Sequence, residues 1–139
     1  GYKKTLEKNQ LPFKKELVFT CNDVSFEEGY AFAKMIHENH PEVDGIFVIT
    51  DLVACGVIKY CNDHQISIPD TYKIIGFSNW FMGKVITPTL STINQPGFEM
   101  GQACFTELLE QIQCKLKGTT YHPITKYLPT EVIVRDSTL

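Results

Sequence analysis

Three short apolar runs recur at an even spacing in the first half of the chain, and this spacing constrains the fold more than any other feature. They occupy residues 17–21, 45–49 and 73–77, and each of the last two ends 28 residues after the run before it. Short apolar runs rich in β-branched and aromatic residues predict buried strands. One helical segment fits into each interval, as in βαβ units of about 30 residues. The spacing predicts an α/β fold, a three-layer parallel sheet with helices on both faces.

Both intervals also contain the signals that start a helix. Ser25, followed three residues later by Glu28, forms a capping-box pattern, and apolar residues then repeat at helical spacing until Pro41. Thr50 and Asp51 can cap and charge the start of the second helix. We therefore predict one helix after each of the first two strands.

The even spacing ends after residue 77. Residues 78–88 read as a long loop, and residues 90–94 alternate as a strand does. Pro96 suits the first turn of a helix that ends at 115–118. One apolar stripe is predicted along this helix, formed by Met100, Cys104, Leu108 and Ile112. Two short extended pieces, near 124–128 and 131–134, finish the chain.

Charge and hydropathy exclude several functions for this segment. The 139 residues include 13 Lys+Arg and 16 Asp+Glu, a formal net charge of -3. Nucleic-acid binding depends on neutralising phosphates, so this segment is not expected to bind DNA itself. No apolar run approaches the roughly 18 residues that span a bilayer, so no membrane partner is expected. The first 16 residues lack the apolar stretch of a signal peptide and read as part of a helix, which suggests a piece of a longer protein.

The cysteines and histidines predict neither a disulfide framework nor a metal site. Five cysteines without a C-x-x-C pair are typical of free thiols in a reducing, cytoplasmic compartment. Cys55 and Cys104 have apolar neighbours and are expected to pack as small hydrophobic residues. His37 and His40 have no evident third ligand and read as a solvated helix end. We expect no metal and no cofactor.

Polar residues follow each of the three predicted strands, and these are the candidate ligand contacts. The carboxyl ends of parallel strands share one edge of a sheet, where open α/β folds bind ligands. Amide, hydroxyl and carboxyl groups beside an indole suit a neutral polyhydroxylated ligand. The same residue types also serve as caps and turn formers, and this alternative stays open. The residues are Asn22, Asp23, Thr50, Asp51, Ser78, Asn79 and Trp80.

Enzymatic motifs are missing from the predicted strand ends. Neither a glycine-rich phosphate loop nor a G-x-S-x-G elbow occurs there. Asp23 and Asp51 could form the acid/base pair of a glycosidase, but capping a helix is the simpler role for both. We therefore predict that the chain is not an enzyme.

Several segments in a fixed order resemble the LacI/GalR family of transcriptional regulators. They are VDGIFVITD at 43–51, ISIPD at 66–70, IIGF at 74–77, TPTLSTINQP at 87–96, EMG at 99–101 and LPTEVIVRDST at 128–138. The resemblance implies a two-lobed sensor of the type I periplasmic-binding-protein fold, which binds an effector, usually a sugar or a purine, between its lobes. It also implies a helix-turn-helix head on a separate N-terminal domain, through which such regulators contact DNA, and a homodimer.

The resemblance also assigns parts of the chain and possible effector contacts. Residues 1–95 would form the C-terminal lobe, 96–122 a crossover helix belonging to the N-terminal lobe, and 123–139 the return strands. Thr50 stands where the family often has Asn and precedes a matching Asp51. Ser78 replaces a common Asp, and Val24 replaces a common aromatic ring, so the effector's identity is not implied. The predicted effector contacts are Asn22, Asp23, Val24, Thr50, Asp51, Ser78, Trp80 and Gln95, with Trp80 as a replacement ring.

The sequence thus favours the sugar-sensing part of a DNA-binding regulator. A periplasmic sugar-binding protein of a transport system is the alternative, and an enzyme that depends on Asp23 and Asp51 is a third reading. The apolar stripe of the helix at 96–118 would pack on a lobe outside this segment. We expect the isolated segment to dimerise, to swap this helix or to leave it disordered.

Overall fold

The computed structural model describes all residues from 1 to 139 and contains four α-helices and four β-strands. The helices are α1 (Tyr2–Lys8), α2 (Phe26–Asn39), α3 (Asp51–Asp63) and α4 (Gly97–Lys117). The strands are β1 (Gly45–Phe47), β2 (Lys73–Ser78), β3 (Ser91–Asn94) and β4 (Glu131–Ile133). Two short 3-10 turns are at Lys15–Leu17 and Phe81–Lys84.

The strands form one sheet in the order β1-β2-β3-β4. The first three are parallel, with Ile46 opposite Ile74 and Ser78 opposite Asn94, and β4 runs antiparallel to β3. Because β1, β2 and β3 are parallel, their carboxyl ends point to the same edge of the sheet. The predicted α/β architecture is confirmed.

The core lies where α2, α3 and the strands meet. It is a single cluster of buried side chains that includes Ile36, Val57, Ile58, Ile74 and Leu90. The strands supply apolar side chains and α3 is buried over most of its length, which explains its almost continuous apolar sequence. This packing fixes the start of α3 against the sheet.

Two glycines bring the backbones of α2 and α3 into direct contact. A side-chain carbon added at Gly29 would overlap the carbonyl group of Val53, and one added at Gly56 would overlap the carbonyl group of Phe26. Each helix therefore presents its glycine to the other helix's backbone. No larger residue could occupy either position at this separation.

Both predicted helix starts are confirmed, although the capping box is only half formed. The Ser25 hydroxyl accepts a hydrogen bond from the Glu28 amide at 3.2 Å. The Glu28 carboxylate does not complete the box. It accepts instead from the amides of Asn22 (2.9 Å) and Asp23 (3.1 Å), and thereby anchors the loop before α2.

The predicted strand at residues 17–21 is wrong. Its first residue ends the 3-10 turn Lys15–Leu17, and the rest forms no sheet pairing. Phe19 and Cys21 still pack on the core. An apolar cavity of about 700 Å³ is lined by this segment, by α2 and by β1 with the residues that follow it, including Phe47 and Ile49. The segment has the apolar composition of a strand but no neighbouring backbone to pair with.

The helix α4 forms as predicted, but none of its residues is buried. It ends at Gly118, whose left-handed backbone (φ 68°) is the usual glycine C-cap. Cys104 is exposed, contrary to the expected packing role, whereas Cys55 is buried. Residues 124–128 have no regular structure.

A polar cluster ties the segment after α4 back onto that helix. The Glu107 carboxylate accepts hydrogen bonds from the Tyr121 hydroxyl at 3.0 Å and from the Lys126 ammonium. The hydrogen bond from Lys126, followed by that from Tyr121, lowers the pKa of Glu107 below its ordinary value. The segment thus covers one side of α4 and leaves the other open.

No helix of the structure combines the length and the apolar character needed to cross a bilayer.

Candidate functional site

Residues at or just after the ends of β1, β2 and β3, together with the loop before α2, make up the candidate site. We call them the polar edge: Asn22, Asp23, Val24, Thr50, Asp51, Ser78, Asn79, Trp80, Asn94 and Gln95. The first three follow residues 17–21, which form no strand, so sheet pairing does not bring them to this edge as the sequence predicts. Ser78 and Asn94 are register partners at the last rung between β2 and β3. The loop before α2 lies apart from this rung and is held by Glu28.

Asp51 is the fully buried member of the polar edge. Its side chain is completely buried, and both carboxyl oxygens are occupied. One oxygen accepts from the Thr92 hydroxyl at 2.6 Å, and the other accepts from the Trp80 amide at 2.6 Å. The sequence places Asp51 among the effector contacts, but the structure gives it a supporting position because no oxygen is left facing the open side.

Gly76 makes room for this arrangement. A side-chain carbon at Gly76 would overlap a carboxyl oxygen of Asp51. The glycine in the middle of β2 therefore permits the carboxyl group at the start of α3 to approach the strand closely. Thr50, one residue earlier, accepts from the Val53 amide at 3.3 Å, so its predicted capping role is confirmed.

The turn after β2 has an unusual backbone. Ser78 has φ 121° and Asn79 has φ 55°, although neither is glycine. Such values are uncommon for residues with a side chain and require support from their surroundings. The Asn79 amide donates to the Thr92 hydroxyl at 3.2 Å, and its side-chain amide donates to the Asn94 oxygen at 2.9 Å.

Arg135 completes this network from the end of the chain. Its guanidinium donates to the Asn79 side-chain oxygen at 2.7 Å and to the Leu90 carbonyl at 2.6 Å. Arg135, Thr92 and Asn94 are not among the contacts predicted from the sequence. Thr92 and Asn94 are two residues apart on β3, so their side chains share one face of the sheet, and this alternation is a signal that could have identified them.

Trp80 and Val24 are the exposed apolar members of the polar edge. The Trp80 side chain is 42% exposed and contacts Phe81 edge to face, with 5.6 Å between ring centres. It also lines a small apolar cavity of about 350 Å³ together with Phe26 and Leu52. Val24 is half exposed on the loop before α2. Both side chains remain accessible to a ligand at this edge.

The thiols near the polar edge are not activated. Burial, and after it the charge of Asp51, raises the pKa of Cys55. Burial, and after it Glu28, raises the pKa of Cys21. Both groups therefore hold their protons more firmly than a free thiol does, which is the opposite of what a nucleophile needs. No group of three or more metal-binding side chains in the structure could hold a metal ion.

The strand ends can donate and accept hydrogen bonds through their Asn, Ser, Thr and Gln side chains. The one carboxyl group there, Asp51, is buried and accepts two hydrogen bonds within the protein. The sequence pattern of periplasmic binding protein-like domains matches residues 1–138. The chain belongs to this family.

Relatives of this periplasmic binding protein-like domain are bacterial regulators. The ribose operon repressor of Halalkalibacterium halodurans is 30% identical over 138 residues, which are 99% of this chain and 39% of the repressor. NtdR, a biosynthesis operon regulator of Bacillus subtilis, is 32% identical, and the match covers 99% of this chain and 41% of the regulator. The chain thus spans about two fifths of these curated relatives.

Solved structures agree in fold. A LacI family transcriptional regulator from Enterococcus faecium with bound ribose has a TM-score of 0.83 and 32% identity, and the match covers 99% of this chain and 49% of that one. The transcription regulator CcpA of Lactococcus lactis has a TM-score of 0.84 and 28% identity, with 99% and 48% covered. The resemblance to LacI-type regulators and the predicted fold are confirmed.

Proposed function

We propose that the chain is the C-terminal lobe of the effector-binding domain of a LacI-type transcriptional regulator. In this proposal, residues 1–95 form the C-terminal lobe. Residues 96–122 form a crossover helix that belongs to the N-terminal lobe, and residues 123–139 form the return strands of the C-terminal lobe. The observation that carries this proposal is the 32% identity, over 99% of this chain, to a LacI family regulator that has ribose bound.

The proposed effector is a sugar, bound at the polar edge. Sugar hydroxyls both donate and accept, and Asn, Ser, Thr and Gln side chains offer both donors and acceptors to them. The proposed contacts are Asn22, Asp23, Val24, Thr50, Ser78, Trp80 and Gln95. Asp51, buried and fully hydrogen bonded, holds the turn that carries Ser78 and Trp80.

The proposed mechanism is a population shift. A sugar that binds better to one arrangement of the two lobes than to the other favours that arrangement, and the change alters operator binding by a helix-turn-helix head. This segment, with net charge -3, contributes no DNA contact of its own. The regulator is proposed to act as a homodimer in the cytoplasm, where free thiols are stable.

Two other functions are less well supported. A sugar-binding protein of a transport system would have the same fold, but the similar proteins described above are regulators. A glycosidase would need a free carboxyl pair, and the Asp51 oxygens are both occupied within the protein.

The direct test is calorimetry of the full-length protein with ribose, other sugars and nucleobases, combined with operator binding. We expect one sugar to bind and to change operator affinity. The Ser78→Ala variant should weaken the binding of that sugar about tenfold, which is the effect of losing one well-placed hydrogen bond to a ligand. Ser67→Ala, at an exposed serine whose hydroxyl donates to Asp70, is the matched control and should change nothing. If no compound binds and operator affinity never responds, the proposal is wrong.

A further inference from the structure

The turn formed by Ser78, Asn79 and Trp80 has a shape that its own sequence does not favour. Two consecutive residues with side chains adopt positive φ values, 121° and 55°. Asparagine tolerates the left-handed value at position 79, but the value at Ser78 is one that glycine adopts and a serine rarely does. Something outside the turn must therefore hold it.

Asn79 is held by three hydrogen bonds, one through its backbone amide and two through its side chain. Its backbone amide donates to Thr92, its side-chain nitrogen donates to Asn94, and its side-chain oxygen accepts from Arg135 at 2.7 Å. These partners lie on β3 and beyond β4. Both polar atoms of the Asn79 side chain thus already have partners within the protein.

Arg135 joins the end of the chain to both the turn and β3. Besides Asn79, its guanidinium contacts the Leu90 carbonyl at 2.6 Å, and its backbone amide donates to the Ser91 hydroxyl at 2.7 Å. A planar guanidinium can hold two acceptors in a fixed mutual orientation, which a lysine ammonium cannot. The two acceptors here belong to the turn and to the start of β3.

We propose that Arg135 and Asn79 are positioning residues for the effector site, which they serve without touching the effector. Their hydrogen bond fixes the turn so that Ser78 and Trp80, its two proposed contacts, face the ligand in one geometry. Asp51 supports the same turn from the other side through the Trp80 amide. The closing segment at 134–138 thereby controls effector affinity. This inference rests on the proposed function.

The test uses Arg135→Met, Arg135→Lys and Asn79→Ala in the full-length protein. Two quantities are measured: ribose affinity by calorimetry, and the Trp80 indole N–H resonance, assigned by its loss in Trp80→Phe. We expect Arg135→Met to weaken ribose binding at least tenfold and to shift or broaden the Trp80 resonance. Arg135→Lys should lie between Arg135→Met and the unmodified protein. The double variant Arg135→Met/Asn79→Ala should weaken binding by less than the two single effects combined, because both changes remove the hydrogen bond between Arg135 and Asn79 and only Asn79→Ala removes the one to Asn94.

A destabilised core provides the control. Ile36→Val removes one buried methylene group on α2, outside the cavity that Trp80 lines, and should lower the melting temperature without changing either quantity. If Arg135→Met behaves like Ile36→Val, with an unmoved Trp80 resonance and unchanged affinity, Arg135 is merely structural and the inference is wrong. If the unmodified protein binds no ribose and no other sugar, the proposed function fails. The positioning of the turn is then decided by the Trp80 resonance alone.

Discussion

At the scale of single residues, Asp51 joins the start of α3 to the turn after β2 and to β3. Each of its oxygens accepts one hydrogen bond, from Thr92 and from the Trp80 amide, and the side chain is shielded from water. A buried donor that loses its acceptor costs about 1–3 kcal/mol, because nothing replaces the water it gave up on folding. The residue therefore stabilises the fold and shapes the site together.

We expect Asp51→Ala to destabilise the protein by about 3 kcal/mol, since it leaves two donors unpaired and a small void. Asp51→Asn keeps the shape and one acceptor and should cost about 1 kcal/mol. Urea unfolding measures both, with the exposed Asp44→Asn as the control that should change stability by less than about 0.5 kcal/mol. Equal stabilities of Asp51→Ala and the unmodified chain would contradict the supporting role.

Cys61 gives a residue-scale prediction about pH. The side chain is fully buried, and burial raises its pKa to about 11 from the ordinary value of 9.0. As the pH rises, the unfolded state loses the Cys61 proton before the folded state does. The stability that the buried Cys61 side chain contributes is therefore intact below pH 9 and is lost as the pH rises from about 9 to about 11. A shift of about two pKa units corresponds to roughly 2–3 kcal/mol.

The measurement is urea unfolding of the unmodified chain and of Cys61→Ala at pH 8, 9.5 and 11. The stability advantage of the unmodified chain over Cys61→Ala should shrink by about 2 kcal/mol between the first and the last pH. Tyr60 and Tyr72, whose pKa values burial also raises, are present in both proteins, so their direct contributions cancel. Cys104→Ala, at an exposed position, should keep the unmodified pH dependence. A constant difference between the two proteins would show that the Cys61 thiol does not titrate as described.

At the scale of elements, the contact between α2 and α3 depends on Gly29 and Gly56. Alanine in a helix is ordinarily favoured over glycine by about 1 kcal/mol, so the sequence pattern alone predicts that replacement would stabilise. Here the added carbon would meet a backbone carbonyl, which cannot rotate away. The two helices would have to separate, and the core between them would open.

We therefore expect Gly56→Ala to destabilise the chain by at least about 3 kcal/mol, despite its better helix propensity. Gly101→Ala is a matched control, since it is also in a helix but its added carbon would meet nothing within 4 Å. That control should stabilise by up to about 1 kcal/mol. Urea unfolding of the three proteins checks the difference in sign, and a stabilising Gly56→Ala would refute the close approach.

The helices and the parallel strands could be predicted because their signals are local. Ser25 and Thr50 cap their helices from neighbouring positions, and the apolar runs at 45–49 and 73–77 become strands because they find partners. The run at 17–21 has the same composition but no partner strand, and composition cannot reveal that. A strand is a property of two segments, whereas a capped helix start is largely a property of one.

The sequence predicts that the residues after β1 and β2 share one edge of the sheet, but it does not predict the contacts among them. Parallel strands have their carboxyl ends at the same edge of the sheet, so any chain whose apolar runs form parallel strands gathers the following residues there. That Asp51 points inward depends on Gly76 and Thr92, each more than 20 positions away along the chain. The contact between Asn79 and Arg135 joins residues 56 positions apart. No local pattern encodes such pairs.

At the scale of the whole molecule, α4 is a long helix without a single buried residue. The half-buried residues of α4 are Ala103, Glu107 and Cys114, and they lie on the side of the helix that faces the segment following it. At about 100° per residue, the large apolar residues most closely aligned on the opposite side are Phe98, Phe105, Leu109, Ile112 and Leu116. They are all exposed, with Phe98 at 75% and Leu116 at 82%. The predicted stripe through Met100, Cys104 and Leu108 drifts around the helix because steps of four overshoot the 3.6-residue turn, so only Ile112 belongs to both.

This uncovered stripe should make the 139-residue chain self-associate, swap α4 or leave it disordered when it is isolated, because water disfavours a continuous apolar face of that length. Sedimentation velocity should show dimers or larger species. The double variant Phe105→Glu/Ile112→Glu puts two charges on the stripe and should shift the chain to monomer. Thr106→Glu/Gln113→Glu adds the same charge about 60–100° away from the stripe and should leave association unchanged. A monodisperse unmodified monomer, with α4 ordered and protected from hydrogen exchange, would show that the helix needs no covering partner.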